Sequence, residues 1–138
     1  MSLLNFAREE VVTTGLRASV LEAAELLRAR NVGCLVVVEG GKPCGILTDR
    51  DIALRVVAAG RDPKTTAVEE VMTPRPTVLE EELGLFEALE IMKDRGVRRF
   101  PVVDRYGQLS GFFTLDDVLY LIGLELSAVA RIIDQGTP

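Results

Sequence analysis

The chain has 138 residues, 48% of them hydrophobic and 27% charged, which fits one globular domain or two small halves sharing a core and excludes disordered and fibrous classes. With 16 Lys and Arg against 21 Asp and Glu the formal charge is -5, so the molecule as a whole repels phosphate backbones, although a local basic pocket stays open to it. The absence of histidine and the presence of only Cys34 and Cys44 remove the commonest general base, the commonest metal ligand and any four-thiolate zinc site. Most hydrolase and metalloenzyme chemistries are excluded on that ground.

The first ten residues, Met1 to Glu10, carry no charged segment followed by an apolar run, so no signal peptide is read there. The helix expected after Val20 has Val20, Ala23, Ala24 and Leu27 at i, i+3, i+4 and i+7, one face of an amphipathic helix. Ser19 and Glu22 form an S-x-x-E capping box at its start, and Asn31 suits the left-handed position at its end. Leu35 to Val38 and Cys44 to Leu47 are short β-branched or apolar runs around Gly40-Gly41-Lys42-Pro43, which predicts a β-hairpin. Cys34 and Cys44 lie in apolar surroundings and read as buried thiols. A second helix is predicted from Thr48 to Gly60.

The same order then repeats. Glu22 and its neighbours recur around Glu87, 65 residues on, and Gly45-Ile-Leu-Thr48-x-x-Asp51 recurs as Gly111-Phe-Phe-Thr114-x-x-Asp117, 66 residues on. The extra residue falls in the turn Arg105-Tyr-Gly-Gln108, where insertion is tolerated. Val68 to Pro74 reads as a helical turn leading into extended Pro76 to Leu79, because Pro74 and Pro76 disfavour helix there. Leu85, Ala88, Leu89 and Met92 line the next helix, which Gly96 ends; Phe100 to Val103 and Leu109 to Phe113 form the second hairpin. The last helix runs from Thr114 towards Asp134 or Gly136. Its apolar stretch Val118 to Ile133 is interrupted by Glu125 and Arg131 and is too short and too charged to span a bilayer. A unit of about 60 residues buries little surface alone, so the two copies are expected to pack on each other.

The recurring Thr-x-x-Asp places a hydroxyl and a carboxylate at the start of a helix. It reads as an N-terminal capping box, and equally as a small anion and hydroxyl site at the positive end of the helix. Both readings hold together. The duplicated block, the Gly-Val-Arg-Arg-Phe-Pro-Val-Val-Asp104 run and the Val-Met-Thr-Pro74 connector resemble a cystathionine β-synthase (CBS) domain pair, or Bateman module, over roughly Val11 to Ile133. The resemblance implies an α+β fold of two β-α-β-β-α units related by a pseudo-two-fold axis. Residues 1–66 would form the first repeat with its lead-in, and 67–138 the second with its connector and C-terminal helix.

The resemblance further implies two clefts for AMP, ADP, ATP or a related adenosyl ligand. Asp51 and Asp117 would hold ribose beside Thr48 and Thr114. The extended lead-ins at Val11-Val12 and Pro76-Thr77 would meet adenine through their backbones, with Ile46 and Phe112 against its ring. Arg98 and Arg99 stand where the family often places a phosphate-binding base, whereas the first copy has Gly33 and Cys34; the arginines also fit a solvated strand start. Phe112 and Phe113 either stack on a base or fill the cleft.

The expected function is therefore a ligand-sensing regulatory module of the cytoplasm, a homodimer that binds adenine nucleotide, with no required cofactor, no metal, no nucleic acid and no membrane. An unidentified protein partner fits the same reading. The alternative is a non-binding structural module that dimerises or docks a partner. An enzyme is not expected, since no G-x-G-x-x-G, G-x-x-x-x-G-K-[ST] or G-x-S-x-G is present. Adjacent acids such as Asp116-Asp117 read as solvated charge.

Overall fold

A computed structural model describes Leu3, Ala7 and residues 10–136. The N-terminal stretch read above for a leader pattern lies, apart from Leu3, Ala7 and Glu10, outside the described residues, as do 137 and 138.

The first copy begins with β1 (Thr13–Gly15) and crosses through α1 (Val20–Arg30) to β2 (Cys34–Glu39), which pairs with β1 in parallel. Ser19 caps α1, its hydroxyl accepting from the Glu22 N–H at 3.1 Å. Asn31 closes the helix at φ 53°, ψ 48°, one of the few non-glycine residues that takes this left-handed conformation readily. β2 turns back into β3 (Lys42–Thr48) through Gly40 and Gly41, both at positive φ, as a tight hairpin turn with right-handed strand twist requires.

The helix after Thr48 begins as α2 (Asp49–Ile52) and widens into a π-helical segment, Ala53–Val57. This differs from the regular helix expected. Ala58 and Arg61 donate to Ala53 and Val56, each five residues back, at 2.9 Å. The wider turn goes with Val56 entering the core and with the Arg55 guanidinium donating to the carbonyls of Val71 and Met72 at 2.9 and 3.2 Å, which caps the end of the next short helix.

That helix, α3 (Val68–Val71), leads through β4 (Thr73–Pro74) to the second copy: β5 (Leu79–Glu80), α4 (Leu85–Arg95), β6 (Arg99–Val103), β7 (Leu109–Thr114) and α5 (Leu115–Asp134). The strands form a sheet in the order β1-β2-β3-β4 and another in the order β5-β6-β7. The chain is thus the mixed α+β duplication that the repeat predicts.

The two copies exchange their flanks. β4 precedes the second copy yet pairs with β3, Gly45 opposite Pro74 and Ile46 opposite Thr73. Val68 and Val71 fill the first core beside Val20, Leu35 and Leu47. In return Leu3 is fully buried in the second core beside Leu79, Phe100 and Phe113, and its N–H donates to the Leu83 carbonyl at 2.6 Å. The hairpin ends also meet: the Leu109 N–H donates to the Gly41 carbonyl at 2.9 Å, and Gln108 Nε2 to the Gly40 carbonyl at 3.3 Å. A boundary drawn between residues 66 and 67 therefore falls just before a segment that packs on the first copy.

Candidate functional site

Where β7 becomes α5, Thr114 leaves the strand at φ -127°, ψ 160° and caps the helix. Its N–H donates to Asp117 Oδ2 at 3.0 Å, and the Asp117 N–H donates to Thr114 Oγ1 at 3.1 Å. Thr48 and Asp51 repeat this geometry at 2.9 and 3.1 Å. Both Thr-x-x-Asp motifs are full capping boxes, and Asp51 is further held by Arg55, whose Nε lies 3.9 Å from Oδ1.

The strand alternation before Thr114 sends Phe113 into the core, fully buried, and leaves Phe112 half-buried. Phe112 therefore lines a cleft, and Phe113 does not fill it. That cleft, about 280 Å³, lies between the two copies. The first copy contributes its lead-in, Glu10 to Val12, and the loop from Asn31 to Cys34, with Val36 beneath; the second contributes Arg99, Phe112, Thr114 and Asp116. An adjoining cavity of about 220 Å³ is bounded by Arg98, Arg99, Thr114, Leu115 and Asp116.

Of the residues singled out in the sequence, Val12, Arg99, Phe112 and Thr114 line the main cleft, and Arg98 lines the adjoining cavity but not the main cleft. Asp117 sits one residue beyond the lining Asp116, turned towards the Thr114 backbone. Ile46, Thr48, Asp51 and Thr77 are not among the residues of either cavity; they occupy the repeat-equivalent places, Ile46 paired with Val36 on one side and Thr73 on the other. Sequence reasoning missed Glu10, Asn31, Gly33 and Asp116 as lining residues. The signal for Asp116 was its place in the first turn of a helix whose start was already marked, and for Asn31 its left-handed cap at a loop.

The electrostatics are mixed. Glu10 and Asp116 bring carboxylates, Arg99 brings a guanidinium, and the N-terminus of α5 adds positive potential. Cys34 faces this cleft, but burial pushes its thiol up to about 11, more than the nearby Arg99 charge lowers it, with Asp51 and Asp49 adding to the rise. It is a neutral thiol at physiological pH, not a nucleophile. Burial likewise raises the Cys44 thiol. Among the described residues no cluster of His, Cys, Asp or Glu could hold a metal ion, and no helix is long and apolar enough to cross a membrane. An aromatic edge, a hydroxyl, charged groups of both signs and exposed backbone suit reversible recognition of a small polar ligand with a flat apolar part.

The family model described as CBS domain matches residues 4–58 and 68–124. An uncharacterized Methanopyrus kandleri protein, MK0525, is 34% identical over 120 residues, 86% of this chain and 61% of that protein. The Bacillus subtilis CBS domain-containing protein YhcV is 40% identical over 109 residues, 79% of this chain and 76% of that one. The chain thus spans just over three-fifths of the Methanopyrus relative. Among solved structures, the CBS domain pair of protein MJ0100 in complex with 5'-methylthioadenosine and S-adenosyl-L-methionine superposes with a TM-score of 0.78 at 27% identity, over 91% of this chain and 98% of that one. A putative signal-transduction protein with CBS domains from Burkholderia ambifaria gives 0.71 at 30% identity, over 94% and 88%. A hexameric CBS-CP12 protein from bloom-forming cyanobacteria gives 0.74 at 30%, over 87% and 70%.

Proposed function

This chain belongs to the CBS domain family, and on that premise we propose that it is a regulatory module, not an enzyme, that takes an adenosyl ligand such as AMP, ADP or ATP between its two repeats and alters its own association, or that of a protein partner, in response. The observation that carries this reading is the cleft itself, in which an extended lead-in from one copy faces Phe112, Thr114 and Arg99 from the other. A base fits between the backbone at Val11-Val12 and the Phe112 ring, ribose reaches Thr114 and the α5 start with Asp117, and a phosphate meets Arg99, with Arg98 alongside. The structural likeness to the MJ0100 pair, a protein described with two adenosyl ligands, supports the ligand class.

The equivalent place in the other half brings Thr77, Ile46, Thr48 and Asp51 into the same roles. It differs in charge: at the repeat offset Asp116 corresponds to Arg50 and Glu10 to Arg75, so the two places favour ligands of different charge. We place the module in the cytoplasm as a homodimer. A second reading, a docking module with no ligand, is favoured by one observation only: both Asp51 and Asp117 already serve as helix caps.

Isothermal calorimetry with AMP, ADP, ATP, S-adenosylmethionine and NAD, beside GMP, separates the two. Heat with adenosyl ligands exceeding that with GMP supports the sensing module. A ligand at a hundred times its dissociation constant raises stability by about 2.7 kcal/mol, read as a shift in the melt. No heat and no shift at millimolar ligand leaves the docking module in its place.

A further inference from the structure

Helix α5 is 20 residues long, yet Val118 is its one buried residue among those described. Along it Leu115, Leu119, Ile122, Leu126, Val129 and Ile133 recur at alternating steps of four and three, the spacing that keeps one seam facing a partner helix. Only the start of that seam touches the module, where Leu115 packs at the edge of the second core. Beyond it Leu119, Ile122, Leu126, Val129 and Ile133 stand 59, 45, 64, 51 and 73% exposed. The family match ends at residue 124, so Leu126, Val129 and Ile133 lie on a helical extension past the repeat. A helix this apolar is ordinarily covered.

We propose that the extension of α5 pairs antiparallel with α5 of a second copy of this chain. The inference rests on the self-association reading above and names its surface. Three observations select this occupant. First, the exposed seam is self-complementary: reversed, Ile122, Leu126, Val129 and Ile133 present the same spacing, so Ile122 meets Ile133 of the second copy and Leu126 meets its Val129 about an axis between Ser127 and Ala128. Such self-matching is what a two-fold interface needs. Second, Gly123 and Ala130 fall on one flank of the seam and face each other across an antiparallel pair, where small side chains let backbones approach. A Cβ placed on Gly123 meets nothing within 4 Å in the protomer, so that flank is open. Third, the start of α5 is anchored on the module through Val118. Antiparallel pairing carries the two modules to opposite ends of the seam and opposes the helix dipoles, whereas parallel pairing crowds them at one end.

The exposed seam from Leu119 to Ile133 is about 21 Å long, and Ile132, 69% exposed, widens it on one side. The test is the mass in sedimentation at micromolar protein. Wild type is expected at twice 15.1 kDa, the Leu126→Glu/Val129→Glu variant at the protomer mass, and Leu124→Glu, on the far side of the helix, at the dimer mass. A monomeric wild type overturns both this pairing and the self-association reading. A dimeric double variant overturns the seam alone and leaves self-association standing. Should the glutamates unfold the chain, Leu126→Cys and Val129→Cys chains, mixed and oxidised, decide: the mixed disulfide in excess of either symmetric one supports antiparallel pairing, and symmetric disulfides in excess overturn it.

Discussion

Thr114 and Asp117 hold one another across the first turn of α5, each side chain accepting from the other's backbone N–H, at 3.1 and 3.0 Å. The carboxylate expected to bind ribose is therefore also what starts the longest helix. Replacing it by alanine strands a helix-terminal N–H and costs about 1 kcal/mol, measurable in a thermal melt, while Asp117→Asn keeps an acceptor and most of that stability. If Asp117 also holds ribose, both adenosine and AMP bind Asp117→Ala more weakly by a similar factor. Unchanged affinity for both would assign the residue to capping alone.

Arg99 borders the main cleft and the adjoining cavity, and Arg98 only the latter. The Arg98→Ala/Arg99→Ala variant is expected to lose AMP by about 1.5 to 3 kcal/mol, as for a charged hydrogen bond, with adenosine much less affected. Arg99→Ala alone should carry the larger share. Calorimetry on the single and double variants measures this; equal losses for adenosine and AMP would mean that the arginines act on structure.

The contact between hairpin ends predicts unequal costs at two neighbouring glycines. Gly40 and Gly41 both have positive φ, 58° and 78°, but a Cβ at Gly40 meets open space whereas one at Gly41 runs into the Gln108 side chain. Gly40→Ala should cost about 1 to 2 kcal/mol from the left-handed backbone alone. Gly41→Ala should cost more, because Gln108 Nε2 is then displaced from the Gly40 carbonyl of the other copy. Chemical denaturation compares them, and identical costs would show that the contact contributes nothing.

Cys34, half-buried and not fully buried as the sequence suggested, makes alkaline stability depend on its thiol. Its folded value of about 11 lies above the ordinary 9.0, so the folded state holds the proton more tightly. That contribution is fully present below pH 9 and is lost as the pH rises from 9 towards 11. Wild type should thus lose stability relative to Cys34→Ala across this window in denaturant titrations at fixed pH. The same burial predicts slow alkylation of Cys34 at pH 8; rapid modification in the folded protein would contradict it.

Much of this molecule is legible from the sequence because its signals are local. The duplication, the helical faces at Val20 and Leu85, the left-handed ends at Asn31 and Gly96 and the two capping boxes depend on residues within a turn or two of each other, and the backbone found at each agrees. By itself the sequence determined two α+β units and where each helix starts. Tertiary structure decided what those units share. That β4 joins the sheet of the first copy, that Leu3 completes the core of the second, and that the loop Asn31 to Cys34 closes a cleft opposite Thr114 are contacts between distant segments, which no periodicity encodes. Even Asp116 and Asp117, adjacent in sequence, part by helical phase: about 100° of rotation per residue takes one carboxylate into the cleft lining and the other back to the helix cap, and the cleft exists only once the second copy is in place.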